Sequence, residues 1–123
     1  MKETRTTTAR LVLGDDDILR IYPLENAVIT LEAAKNHYFS ENKLTEGKKA
    51  LVLVYGNVNY TITREAKKYA ASQSHTRIAT AVVSNKLRMI LIVRMYAWLM
   101  KPKSPVRVFN SEEKAISWLK SFQ

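Results

Sequence analysis

The apolar positions of this chain recur with a period of two in some stretches and about 3.6 in others, and the switches between them mark its elements. Arg10 to Leu13 and Ile18 to Leu24 read as strands on either side of Gly14-Asp15-Asp16-Asp17, whose composition is that of a turn, so an antiparallel hairpin is expected. Thr30 is placed to cap a helix over Leu31 to Phe39, in which Leu31, Ala34, Tyr38 and Phe39 share a face. Ala50 to Tyr55 is a continuous valine-rich run, the mark of a central strand covered on both faces. After a loop from Gly56 to Asn59, Thr61 or Thr63 can cap a helix over Arg64 to Ser72, to which Ala66 and Ala70 give a small-residue face. Thr76 to Val83 and Val106 to Phe109 complete the strands. The last helix, Glu112 to Phe122, carries acids in its first turn and the stripe Ala115, Ile116, Leu119 and Phe122, with Trp118 at the edge.

The stretch from Lys86 to Met100 departs from this regularity. Only Lys86, Arg88 and Arg94 are charged in it, and at about 100° per residue the two arginines stand about 120° apart around a helix, which leaves no clean polar face. Ser84 or Asn85 is positioned to cap it, and Pro102 and Pro105 end it. A helix over 86–100 thus carries more apolar surface than one core can cover. Arg94 divides it into pieces shorter than a bilayer requires, so it is not expected to span a membrane.

Length and charge narrow the picture. With 123 residues the chain is expected to form one domain, over 10–123, after a polar, threonine-rich and flexible lead-in at 1–9. Twenty Lys and Arg against eleven Asp and Glu give a net charge of +9, compatible with phosphates, acidic proteins or anionic lipid. There is no cysteine, so disulfides, thiolate metal sites and a cysteine nucleophile are excluded. The first ten residues have no apolar core of a secretion signal, and a cytoplasmic location is expected.

The element order is β-β-α-β-α-β-α-β-α, which implies an α/β domain with a mostly parallel central sheet, an antiparallel N-terminal hairpin and helices packed on the sheet. This order, together with Thr7-Thr-Ala-Arg-Leu11 and its Gly14-Asp15-Asp16 turn, Ile62-Thr-Arg-Glu-Ala66 with Tyr69, and Lys101-Pro through Phe109 to Ser111-Glu-Glu-Lys-Ala115 with Trp118-Leu119, resembles the STAS-like, or SpoIIAA-like, fold of anti-sigma-factor antagonists. The resemblance implies a regulatory protein-interaction module. In the better understood antagonists, a Ser or Thr at the start of the helix after the central strand is phosphorylated by a partner kinase. Thr61 and Thr63 stand there, but Tyr60-Thr-Ile-Thr63 replaces the usual Asp-Ser-x-Gly, and helix capping by Thr63 is the favoured reading.

Catalytic chemistry has little to stand on. The three glycines are scattered, so no phosphate-binding loop forms, and neither a nucleophile elbow nor a zinc-protease motif occurs. His37 and His75 lack metal-ligand spacing and are expected on the surface or at helix ends; Asp15 to Asp17 lack the spacing of a calcium loop. Glu112 and Glu113 diverge on their helix, and Asn59-Tyr60-Thr61 is a chance glycosylation sequon. No enzyme, metal or cofactor is therefore expected. The expected function is partner binding or self-association, with a homodimer foremost, through Met89, Ile92, Met95, Tyr96 and Met100 and the neighbouring helix at 63–72. The alternative is an apolar or lipid ligand held beside that helix. Lys48 and Lys49, with the basic face formed by Arg64, Lys67 and Lys68, raise nucleic-acid binding, but no RNP-like or helix-turn-helix sequence accompanies them and no specific nucleic acid is expected.

Overall fold

The hydrophobic run at 50–55 does become the middle of a sheet. In the computed structural model, which describes residues 1–123, six strands lie in the order β1 (Lys2–Arg5), β2 (Ala9–Leu13), β3 (Ile18–Pro23), β5 (Ala50–Tyr55), β7 (Arg77–Val83) and β8 (Val106–Phe109). The first three pair antiparallel, and β3, β5, β7 and β8 run parallel. The helices are α1 (Leu31–Leu44), α2 (Arg64–Ser72), α3 (Leu87–Met100) and α4 (Glu112–Lys120). No helix is long and apolar enough to cross a membrane.

The hairpin forms around Asp16, whose Oδ1 accepts the Ile18 N–H at 3.2 Å and whose carboxylate pairs with Arg20 at 2.9 Å, while Asp17 takes a left-handed φ of 63°. Three helices begin on side-chain caps, at Thr30 and Thr63 as expected and at Ser111 for the last helix. The hydroxyl oxygens of Thr30, Thr63 and Ser111 accept from Ala33, Ala66 and Lys114. The start of α3 differs: neither Ser84 nor Asn85 caps it, because Ser84 Oγ is occupied before the helix begins, donating to Gly56 O and accepting from Lys86 N. α3 ends on Lys101 in the left-handed conformation, directly before Pro102.

Two expectations are corrected. The segment 1–9 is not a flexible lead-in. Its alternating polar residues contain β1, which extends the hairpin to a third antiparallel strand, with Glu3 bonded to Arg10 and Lys2 to Glu46. The region between strands and helices also contains a second sheet, in which β4 (Ala27–Ile29) and β6 (Tyr60–Ile62) pair parallel.

The two faces of the main sheet are covered unequally. Leu51, Leu53, Ala79, Ala81 and Val83 face α4, whose Ala115 and Leu119 are fully buried among them. The opposite side chains of the same strands face α1, α2 and α3 and form two separate apolar groups. One lies under α1 with Leu11, Ile21, Leu44 and Val52; the other lies under α3 with Tyr60, Val82, Met89 and Val93. As α4 alone covers its face, Leu119→Ala is expected to destabilise the chain by about 2–5 kcal/mol, read from the urea midpoint at constant slope.

Candidate functional site

The densest polar chemistry lies where α1 meets the start of β7. Glu41, two residues beyond the expected end of the first helix, is buried with its side chain only 4% exposed. Arg77 grips it in a bidentate fork, Nε to Oε1 at 2.9 Å and Nη2 to Oε2 at 2.8 Å. The remaining Arg77 arm donates to Thr80 Oγ1 at 3.3 Å, and its guanidinium lies 5.0 Å over the Tyr38 ring. His37, one turn before Glu41, approaches Oε2 with Nε2 at 3.1 Å; an ionised carboxylate only accepts, so this nitrogen is the donor. His37 is therefore not at the surface or a helix end, as expected, but mid-helix and nearly buried; His75 alone is exposed, in a short 3-10 turn.

Burial by itself would raise the Glu41 carboxyl, but the charge of Arg77 and the bonds from His37 and Arg77 outweigh it and hold the group down to about 2. Burial likewise works against the Arg77 charge, and Glu41 overcomes it, so Arg77 is held above its ordinary value. The pair is thus ionised and internally neutral. Burial raises Tyr38, and it pushes Tyr96 up to about 12, so both phenols remain hydrogen-bond donors at neutral pH.

Beside this cluster a cavity of about 190 Å³ separates the two apolar groups on the three-helix face. α3 forms one wall with Met89, Ile92, Val93 and Tyr96; the sheet contributes Ile21, Val54 and Val82. α2 supplies Ala66 and Ala70, too short to fill the space, so the small-residue face of that helix shapes a cavity as well as a close contact.

The expected surface on α3 is split between two faces. Met89 is buried, Ile92 and Tyr96 are half-buried cavity walls, Met100 is half-buried, and of the five only Met95 is fully exposed. The outward face is instead Leu87, Leu91, Met95, Trp98 and Leu99, with Leu87 70% and Trp98 74% exposed. Thr63 acts as the α2 cap, while Thr61 is an exposed residue of β6. The basic face is divided as well: Arg64 and Lys68 are exposed, but Lys67 is half-buried and lines the cavity.

A family model described as Domain of unknown function (DUF7793) matches residues 12–123. The chain belongs to this family. Among solved structures, the DUF7793 chain is similar to an uncharacterised protein of the DUF3478 family from Shewanella loihica PV-4, described as having a SpoIIAA-like fold. The two share 13% identity at a TM-score of 0.66, over 97% of this chain and 98% of that one. The DUF7793 domain thus has a SpoIIAA-like fold, in agreement with the resemblance read from the sequence. A protein with unknown function from Arthrobacter sp. fb24 aligns at 22% identity over 89% of this chain and 97% of that one, but its TM-score of 0.34 carries no weight. No curated protein matches the sequence.

The buried pair predicts an acid-sensitive fold. The Glu41 carboxyl lies below its ordinary 4.5 in the folded state, so the stability it adds is present above pH 4.5 and disappears as pH falls toward 2. Urea unfolding across that window should show the loss in the natural chain and a shallower one in Glu41→Gln. At neutral pH the variant should be less stable by about 3–5 kcal/mol, because Arg77 is left buried without its counter-ion.

Proposed function

We propose that this domain is a non-catalytic interaction module that docks an acidic-rimmed protein partner on the outer face of α3. The observation that carries the reading is the stripe Leu87, Leu91, Met95, Trp98 and Leu99, all exposed on one side of one helix. Single exposed apolar residues are ordinary; five contiguous ones that include a tryptophan have the composition of an interface centre. At about 100° per residue the first four fall in the sector between Arg94 and Arg88, with Leu99 just beyond Arg88. The arginines therefore border the stripe.

That border favours a partner over a second copy. From Lys86 to Lys103 the chain has five cations and no acid. Two-fold pairing of this face with itself would bring the arginines of one copy toward those of the other, whereas an apolar groove rimmed by Asp and Glu meets the same face with opposite charge. A SpoIIAA-like fold is compatible with a regulatory module, which supports the reading without fixing it.

The test uses two designed amphipathic helical peptides with the same apolar face, one flanked by Glu and the other by Lys. The Glu peptide should bind, its affinity should fall with added salt, and Trp98→Ala should weaken it roughly 10- to 100-fold. Equal binding of both peptides contradicts the reading. So does sedimentation of the chain as a dimer that Trp98→Ala dissolves, or binding to anionic phospholipid vesicles without binding to the Glu peptide.

A further inference from the structure

The cavity behind α3 is bordered by the small side chains of α2 and by Arg77 of the ion pair, and neither feature belongs to the outer stripe. Its volume of about 190 Å³ indicates the size of what it can hold. An apolar cavity of about 150 Å³ stays dry and takes up benzene, and drug-sized ligands need about 300 Å³ or more. A single ring with a small substituent fits between these limits.

Charge narrows the class. Arg77 lines the cavity, and its nitrogens are committed to Glu41 and Thr80. An anionic ligand would have to compete with Glu41 for it, and a cationic one would meet no free carboxylate among the cavity-lining residues. Lys67 also lines the cavity but is half-exposed, and its long side chain can keep the ammonium in water. The occupant is therefore neutral.

One fully buried side-chain polar atom is left without a partner. Ser104, in the connection from α3 to β8, lines the cavity and is only 7% exposed, and its Oγ is buried with no hydrogen-bond partner. Buried hydroxyls are rarely left in that condition. We propose that the cavity binds a small neutral aromatic molecule bearing one hydroxyl or ring N–H, with the ring between α3 and the sheet and its polar group hydrogen-bonded to Ser104 Oγ. The proposal rests on the cavity and Ser104, and stands or falls separately from docking on the outer face.

Toluene and phenol, alike in size and different in one hydroxyl, are the probes. Each would be titrated into the full chain at millimolar concentration, followed by ligand-observed NMR and by the shift in thermal midpoint. Both should bind saturably. Ser104→Ala should weaken phenol about tenfold and leave toluene unchanged, since one hydrogen bond is removed and the chamber is not. Val93→Phe, checked for folding by circular dichroism, should abolish both by filling the space. No saturable binding of either probe, binding of toluene alone, or phenol affinity indifferent to Ser104→Ala would overturn the proposal. Decanoate binding tighter than phenol, with that affinity lost in Lys67→Ala, would also overturn it, by making the ligand an amphipathic anion.

Discussion

The salt bridge between Glu41 and Arg77 is the constraint on which the three-helix face depends. Two charges taken out of water must meet or the fold loses several kcal/mol, so the last turns of α1 are tied to the first residue of β7 across 36 positions of sequence. This fixes where α1 lies on the sheet. It also orders the neighbours of both residues: His37 is drawn to the carboxylate, Tyr38 lies under the guanidinium, and the Tyr69 ring of α2 meets Tyr38 edge-on at 5.9 Å. α1 and α2 are thereby positioned through polar and aromatic contacts, and the alanines of α2 leave open the space that bulkier residues would have filled.

α3 then serves two environments. Its inner side, Met89 and Val93 above all, closes the apolar group over β7 and walls the cavity; the Tyr60 hydroxyl donates to Met89 Sδ at 3.8 Å and holds that side chain under the second sheet. Its outer side is left to solvent because no later element returns to cover it. α4 crosses to the opposite face, where Ala115 and Leu119 complete a separate core. The apolar excess of the run at 86–100 thus follows from topology: the helix at the edge of its layer has one neighbour too few.

Much of this was legible in the sequence, and the failures have physical causes. Strands β2, β3, β5, β7 and β8 announced themselves by alternation or by continuous valine-rich runs, and Thr30 and Thr63 marked helix starts because few residues can accept from free N–H groups there. β1, β4 and β6 were missed. Each is three or four residues long, and β1 is wholly polar, so neither periodicity nor hydrophobicity could show it. The faces of α3 were mistaken because nearly every position is apolar and only Arg88 and Arg94 set its phase; the solvent side proved to be the sector between them, lined by Leu87, Leu91, Met95 and Trp98. The Glu41 and Arg77 pair gave no local signal, since each residue alone reads as a surface charge and the first helix was ended two residues too early to include Glu41.

α3 has a covered inner face and a free outer face, and its methionines report on both. Methyl NMR of the full chain with a soluble gadolinium relaxation agent would compare Met89, 8% exposed, with Met95, 56% exposed. Strong broadening of the Met95 methyl and little change at Met89 are expected, at concentrations from micromolar upward. Equal protection of both methyls would mean that the outer face is already covered, and equal broadening would mean that α3 does not seal the cavity; either result would contradict the account.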